Sequence, residues 1–442
     1  MNSDEPTRDA TTGRDNYTRR RVLGAGAALA AVGLAGCSGD GGSGATETEA
    51  TTESTETMTP TEEPTEEPTE EPTNPDVPVL NYALTLEHLE NAFYREGLET
   101  FADDELMAAD VLSNFGETVR TDVPAYLKTV GEHEAAHVDA LTQTVSDLGG
   151  TPVEEASYDF GYETPSEFLG VAKALENTGV AAYAGAAPKV TNNDVLAAAA
   201  GIHSVEARHA AFLNLLDGDA PFPNAVDEAR SVEEVLEIAG QFVTSDVDPA
   251  AFTRDDGGEM PAYDRKQEND VADVDVLNYA LTLEHLENAF YREGLETFAD
   301  DELMAADVLS EYGDELRMTV PGHLETVGEH EAAHVDALTQ TVSDLGGTPV
   351  EEASYDFGYE TPSEFLGVAK ALENTGVAAY AGAAPTVSND EIFSAAIGIH
   401  SVEARHAAFL NELNVESPFP DGVDQPMTMQ EVEEVAGQFI QG

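Results

Sequence analysis

Cysteine is almost missing from this chain: there is one in 442 residues, and tryptophan is absent. A single cysteine excludes a disulfide framework and a thiolate metal site. Basic residues are also scarce, with 19 Lys and Arg against 87 Asp and Glu and a formal net charge of −68. That balance excludes nucleic acid and anionic lipid as partners, since both are polyanions. A bilayer-spanning helix needs roughly 20 apolar residues, and the apolar run from Val22 to Gly36 is shorter. No segment alternates with period two over a useful length, which argues against a sheet. What remains is a dense carboxylate surface of the halophile type, which stays hydrated in high salt and repels itself in dilute buffer. A hydrophobic content of 41% still suffices for globular domains, and the length suits two of them.

The first 36 residues read as a targeting segment rather than as fold. Thr18-Arg19-Arg20-Arg21-Val22-Leu23 looks like a twin-arginine export signal. The apolar run ends at Leu34-Ala35-Gly36-Cys37, which resembles a lipoprotein cleavage box with Cys37 as the lipidated residue. An uncleaved anchor helix is the alternative. The expected address is the outer face of the cell membrane, held there by a lipid at Cys37. Residues 37–76 are mostly Gly, Ser, Thr, Glu and Pro, a composition that cannot bury a core and serves as a solvated spacer.

The remainder is written twice. Residues 79–113 and 129–188 recur unchanged, 197 positions later. The expected domains are 77–245 and 274–442, joined by an acidic linker over 246–273. Each repeat carries four long patterns with apolar residues at three- and four-residue steps, so the fold class is all-α. In repeat one these run from about Val79 to Phe101, from about Val123 to Leu148, from the Thr164-Pro165-Ser166-Glu167 cap onward, and from about Asp194 to Leu216. Gly149-Gly150 supplies a left-handed stop after the second. Shorter helices are expected near 103–115 and 231–242.

Ionisable residues interrupt the apolar stripes. In repeat one they are Glu87, Glu134, His137, Glu176, Glu206 and His209; in repeat two, Glu284, Glu331, His334, Glu373, Glu403 and His406. Buried carboxylates in one core repel one another and lose their hydration. Two divalent cations would neutralise four of them. Glu-x-x-His sets both side chains on one helix face, and carboxylate with imidazole suits iron or manganese, with zinc a further option. Glu90 competes with Glu87 for the ligand place on the first helix. His88 and His133 fall off the stripes and read as surface residues. His203, one turn before Glu206, is a candidate outer partner for a ligand.

One Glu from each of two helices, with Glu-x-x-His from each of two others, resembles the ferritin-like di-metal carboxylate proteins such as bacterioferritin and rubrerythrin. Tyr94 stands seven residues after Glu87, as an aromatic does in many ferritins, and Tyr183 stands seven after Glu176. Both read as core tyrosines with satisfied hydroxyls. The wording around the ligands is most similar to the ferritin-like domains of stress and desiccation-related proteins. The resemblance covers nearly all of both repeats. It implies two tandem ferritin-like four-helix bundles with short additional helices, each holding two divalent metal ions, iron or manganese. It further implies oxidation of Fe(II) by O₂ or peroxide, or peroxide disproportionation with manganese. The alternative is a non-enzymatic stress-related surface protein with idle or structural metal. A storage cage fits a spacer-borne tandem chain poorly.

Overall fold

A computed structural model describes residues 74–245 and 272–441. The export-type segment, Cys37, nearly all of the spacer and most of the linker lie outside the described residues.

Repeat one contains α1 (Asp76–Thr100), α2 (Asp103–Met107), α3 (Glu117–Asp147), α4 (Pro165–Ala186), α5 (Asn193–Leu216) and α6 (Val232–Ala239). Repeat two follows with α7 (Asp273–Thr297), α8 (Asp300–Met304), α9 (Asp314–Asp344), α10 (Pro362–Ala383), α11 (Asp390–Leu413) and α12 (Met429–Ala436). Short 3₁₀ turns follow α2, α4 and α6, and in repeat two α8 and α10. The only extended pairing among the described residues is slight. Ser354–Tyr355 lies antiparallel to Ile440–Gln441, and Tyr158 bridges Val243.

Local chemistry sets the helix ends. Thr164 caps α4 by accepting from the Glu167 N–H, with Pro165 in the first turn. Asn192 caps α5 through the N–H groups of Asp194 and Val195. Gly149, at φ +80°, supplies the left-handed turn after α3. Two acidic residues that composition assigns to spacer and linker are structural. Asp76 is fully buried and accepts from the N–H groups of Thr191 and Asn192. Asp273 opens α7 and accepts from the Ser388 N–H. The α3 helix also starts earlier than its apolar stripe suggests and carries Pro124 inside it. Proline removes one backbone donor and disfavours a helix interior. Here the added turns are held by burial of Val119 and Val123 and by Arg120 Nε donating to Met107 O at 2.8 Å.

Within each bundle α1 packs along α3 and α4 along α5, as do α7 with α9 and α10 with α11. Phe93, Tyr94, Leu127, Val130, Phe168 and Leu213 belong to the buried core of the first bundle. The bundles are not separate: α5 lies against α11 along its length. Val180, Ala207 and Ala210 meet Val377, Ala404 and Ala407 there. Residues this small let two helix backbones approach closely.

Candidate metal centre

The four long helices of the first bundle deliver ionisable residues to one buried place. Glu87 and Glu90 come from α1, Glu134 and His137 from α3, Glu176 from α4, and Glu206 and His209 from α5. All are buried, and the six expected ligands have no exposed surface. His137 Nδ1 lies 3.1 Å from Glu87, 3.3 Å from Glu134 and 3.2 Å from Glu206. His209 Nδ1 lies 3.1 Å from both Glu134 and Glu176. Two overlapping groups result: Glu87, Glu134, His137 and Glu206, and Glu134, Glu176, Glu206 and His209. Within each group one ligand atom per residue lies within 4.8 Å of the others, close enough to hold an ion. Glu134 and Glu206 belong to both groups, so the two places share a pair of carboxylates.

Repeat two reproduces this with Glu284, Glu331, His334 and Glu403, and with Glu331, Glu373, Glu403 and His406. His334 Nδ1 lies 3.1 Å from Glu284 and from Glu403, and His406 Nδ1 lies 3.1 Å from Glu331 and 3.2 Å from Glu373.

The electrostatics of the metal-free cluster are strained. Burial pushes Glu87 up to about 7 against the pull of His137. Burial, then repulsion from neighbouring glutamates, holds Glu90 and Glu206 well above the usual carboxylate range. Burial acts the same way on Glu134, but the facing imidazoles outweigh it and hold that carboxyl low. Burial alone would lower the two histidines. The glutamates around them win, raising His137 well above its ordinary value and His209 to about 9. Protons thus offset part of the clustered negative charge. Glu90 Oε2, Glu134 Oε1 and both Glu206 oxygens are buried without a hydrogen bond of good geometry. Buried carboxylate oxygens left this way are costly unless a cation takes them. The donor set therefore fits bound metal cations.

Glu87 and Glu90 both point inward. Gly179 leaves room for the second: a Cβ there would lie 2.9 Å from Glu206 Oε2 and 3.1 Å from Glu90 Oε1. Tyr94 donates to Glu176 Oε1 and Tyr183 to Glu87 Oε1, so both hydroxyls are satisfied by cluster carboxylates. His88 is half-buried, with Nε2 3.2 Å from Val153 O.

His133 is not a surface residue. It is buried, stacks on His209 with ring centroids 5.3 Å apart, and sets Nδ1 3.1 Å from His209 Nε2. Burial, with the two cluster histidines, lowers His133 to about 3. It therefore stays neutral, which leaves its Nδ1 able to accept a proton from His209 Nε2. The stripe of α3 does not reveal it because the second repeat covers it, with Phe419 and Gly422 lying against its ring. His203 is buried, but its ring faces His400 across the two bundles at 5.6 Å rather than a cluster residue.

Fold and cluster together define a helical bundle of the carboxylate–imidazole type, doubled in one chain. The family model of the ferritin-like domain matches residues 75–218 and again 272–416, so the chain belongs to the ferritin-like family as a tandem duplication. Among curated proteins no match was found.

Proposed function

We propose that each bundle holds two divalent metal ions, iron foremost and manganese as the alternative. One would lie among Glu87, Glu134, His137 and Glu206, the other among Glu134, Glu176, Glu206 and His209. The carrying observation is that two four-residue groups share Glu134 and Glu206, with buried oxygens that lack a hydrogen bond of good geometry. The metal pair would supply the redox chemistry, passing electrons from Fe(II) to O₂ or peroxide, or disproportionating peroxide. The protein's part is positional. Tyr94 and Tyr183 orient Glu176 and Glu87, His133 fixes the tautomer of His209, and the apolar core excludes water.

We further propose that the chain works outside the cell, exported through the segment at Arg19–Arg21 and anchored through Cys37. O₂ or peroxide would be its small-molecule partner. Metal analysis of protein purified in high salt tests the reading, followed by Fe(II) oxidation and peroxide consumption by the loaded protein. Two iron or manganese per bundle with turnover supports it. Bound metal without turnover favours the non-enzymatic stress-protein alternative, and absence of tightly bound transition metal sinks the site assignment.

A further inference from the structure

The loops after α5 and α11 cross between repeats. Asp424 N–H donates to Gly201 O at 3.1 Å, and Arg208 Nε donates to Asp424 Oδ2 at 2.7 Å. Gly422 O then receives His137 Nε2–H at 2.6 Å. Phe419 seats edge-on against His209, ring centroids 4.9 Å apart, and also against Tyr126 and Phe212. The loop returns home where Met427 N–H donates to Ala378 O at 3.0 Å.

The first repeat does the same to the second. Asp227 N–H donates to Gly398 O at 3.1 Å, and Arg405 Nε donates to Asp227 Oδ2 at 2.7 Å. Ala225 O receives His334 Nε2–H at 2.6 Å, and Phe222 lies edge-on against His406 at 4.8 Å. The exchange is built into the backbone. A Cβ on Gly201 would meet Asp424 O at 2.4 Å, and one on Gly398 would meet Asp227 O at 2.6 Å. The loops differ in sequence over 217–230 and 414–427 yet keep Pro-Phe-Pro and Val-Asp at matching places.

We propose that each metal centre is completed by the other repeat: loop 414–427 positions His137 and His209, and loop 217–230 positions His334 and His406. This rests on the metal reading above. A ligating imidazole needs its far nitrogen held, because that bond fixes the tautomer and turns the near lone pair to the metal. In both bundles Nδ1 of the α3-type histidine faces the carboxylates, and the bond to Nε2 comes from the opposite repeat. Asp424 and Asp227 are thus positioning residues for sites to which their own repeat contributes no ligand.

The test uses the full chain with one site disabled. With Glu403→Ala and His406→Ala only site one remains, and Mn(II) affinity is read by equilibrium dialysis in high salt. Asp424→Asn, which keeps volume, and Phe419→Ala should each weaken binding by about 10–100-fold, while Asp227→Asn should not. With Glu206→Ala and His209→Ala instead, the pattern should invert. Weakening by the loop of the same repeat, or equally by both, overturns the proposal. A readout without metal separates this from failure of the metal reading. In the otherwise unaltered metal-free chain, the His137 Nε2–H should give a protected imidazole N–H NMR signal. Asp424→Asn should speed its exchange and Asp227→Asn should leave it. If the first leaves it protected, the crossing loop does not position His137, whether or not metal binds.

Discussion

Two tyrosine hydroxyls do much of the work of holding the cluster at the scale of single residues. Tyr183 donates to Glu87 and Tyr380 to Glu284, each fully inside its bundle. Tyr183→Phe keeps the ring and removes one donor. It should weaken metal binding at the first site by about 10–100-fold, leave the second unchanged, and spare the helical circular-dichroism signal. Competition with a chelator measures this. Protonation supplies a second test. Glu87 rises from 4.5 to about 7 in the folded chain, so its ionisation costs stability as pH climbs through that window. His209 rises from 6.5 to about 9, so its stabilising charge is fully present below 6.5 and lost as pH rises through about 9. Above pH 6.5 both slopes have one sign, and the metal-free fold weakens from there to about pH 9; below 6.5 the buried His133, lowered to about 3, adds the opposite slope. Glu134, held low, has the opposite sign, but its contribution is lost only as pH falls below that range. Bound cations replace the protons. The gap in melting temperature between loaded and metal-free protein should therefore widen with pH in high salt. A constant or narrowing gap would contradict the cluster's charge balance.

At the scale of helices, the site depends on how closely α1 and α4 approach. A Cβ on Gly97 would sit 2.0 Å from the Phe168 ring, whereas one on Gly170 would meet nothing within 4 Å. Gly97→Ala should destabilise by about 1–3 kcal/mol through overpacking. Gly170→Ala, in the same bundle, should stabilise by about 0.5–1 kcal/mol because helical glycine carries extra chain entropy. Thermal melts that show the same sign for both would refute the packing described. The four long helices of each repeat, and the six buried ionisable residues they bring together, were legible in the sequence because a helix writes its buried face as a three-and-four step. Glu87, Glu134 and Glu206 share that phase with Leu84, Leu127 and Ile202. The same signal could not separate Glu87 from Glu90, since α1 is buried on more than one face and both reach the cluster.

The whole molecule behaves as a dimer fused into one chain, and that scale was hidden from sequence reasoning. Periodicity reports burial within one bundle. It is silent on His133, which the opposite loop covers, and on His203, which faces His400 between α5 and α11. The net charge of the chain, by contrast, is read directly as −68. Screening lengths run from roughly 30 Å at 0.01 M salt to roughly 3 Å at 1 M, so dilution should loosen the fold. Metal held only by the folded state should postpone that loss by mass action. In a salt titration followed by circular dichroism, the loaded protein should unfold at lower salt than the metal-free form, and coincident midpoints would argue against metal-linked stability. The most direct test of the central claim is anomalous diffraction from crystals loaded with manganese or iron. The account predicts two peaks in each bundle, roughly 3.5–4 Å apart as in other two-metal sites, one pair between Glu134 and Glu206 and the other between Glu331 and Glu403. A single peak per bundle, or peaks confined to surface carboxylates, would contradict it.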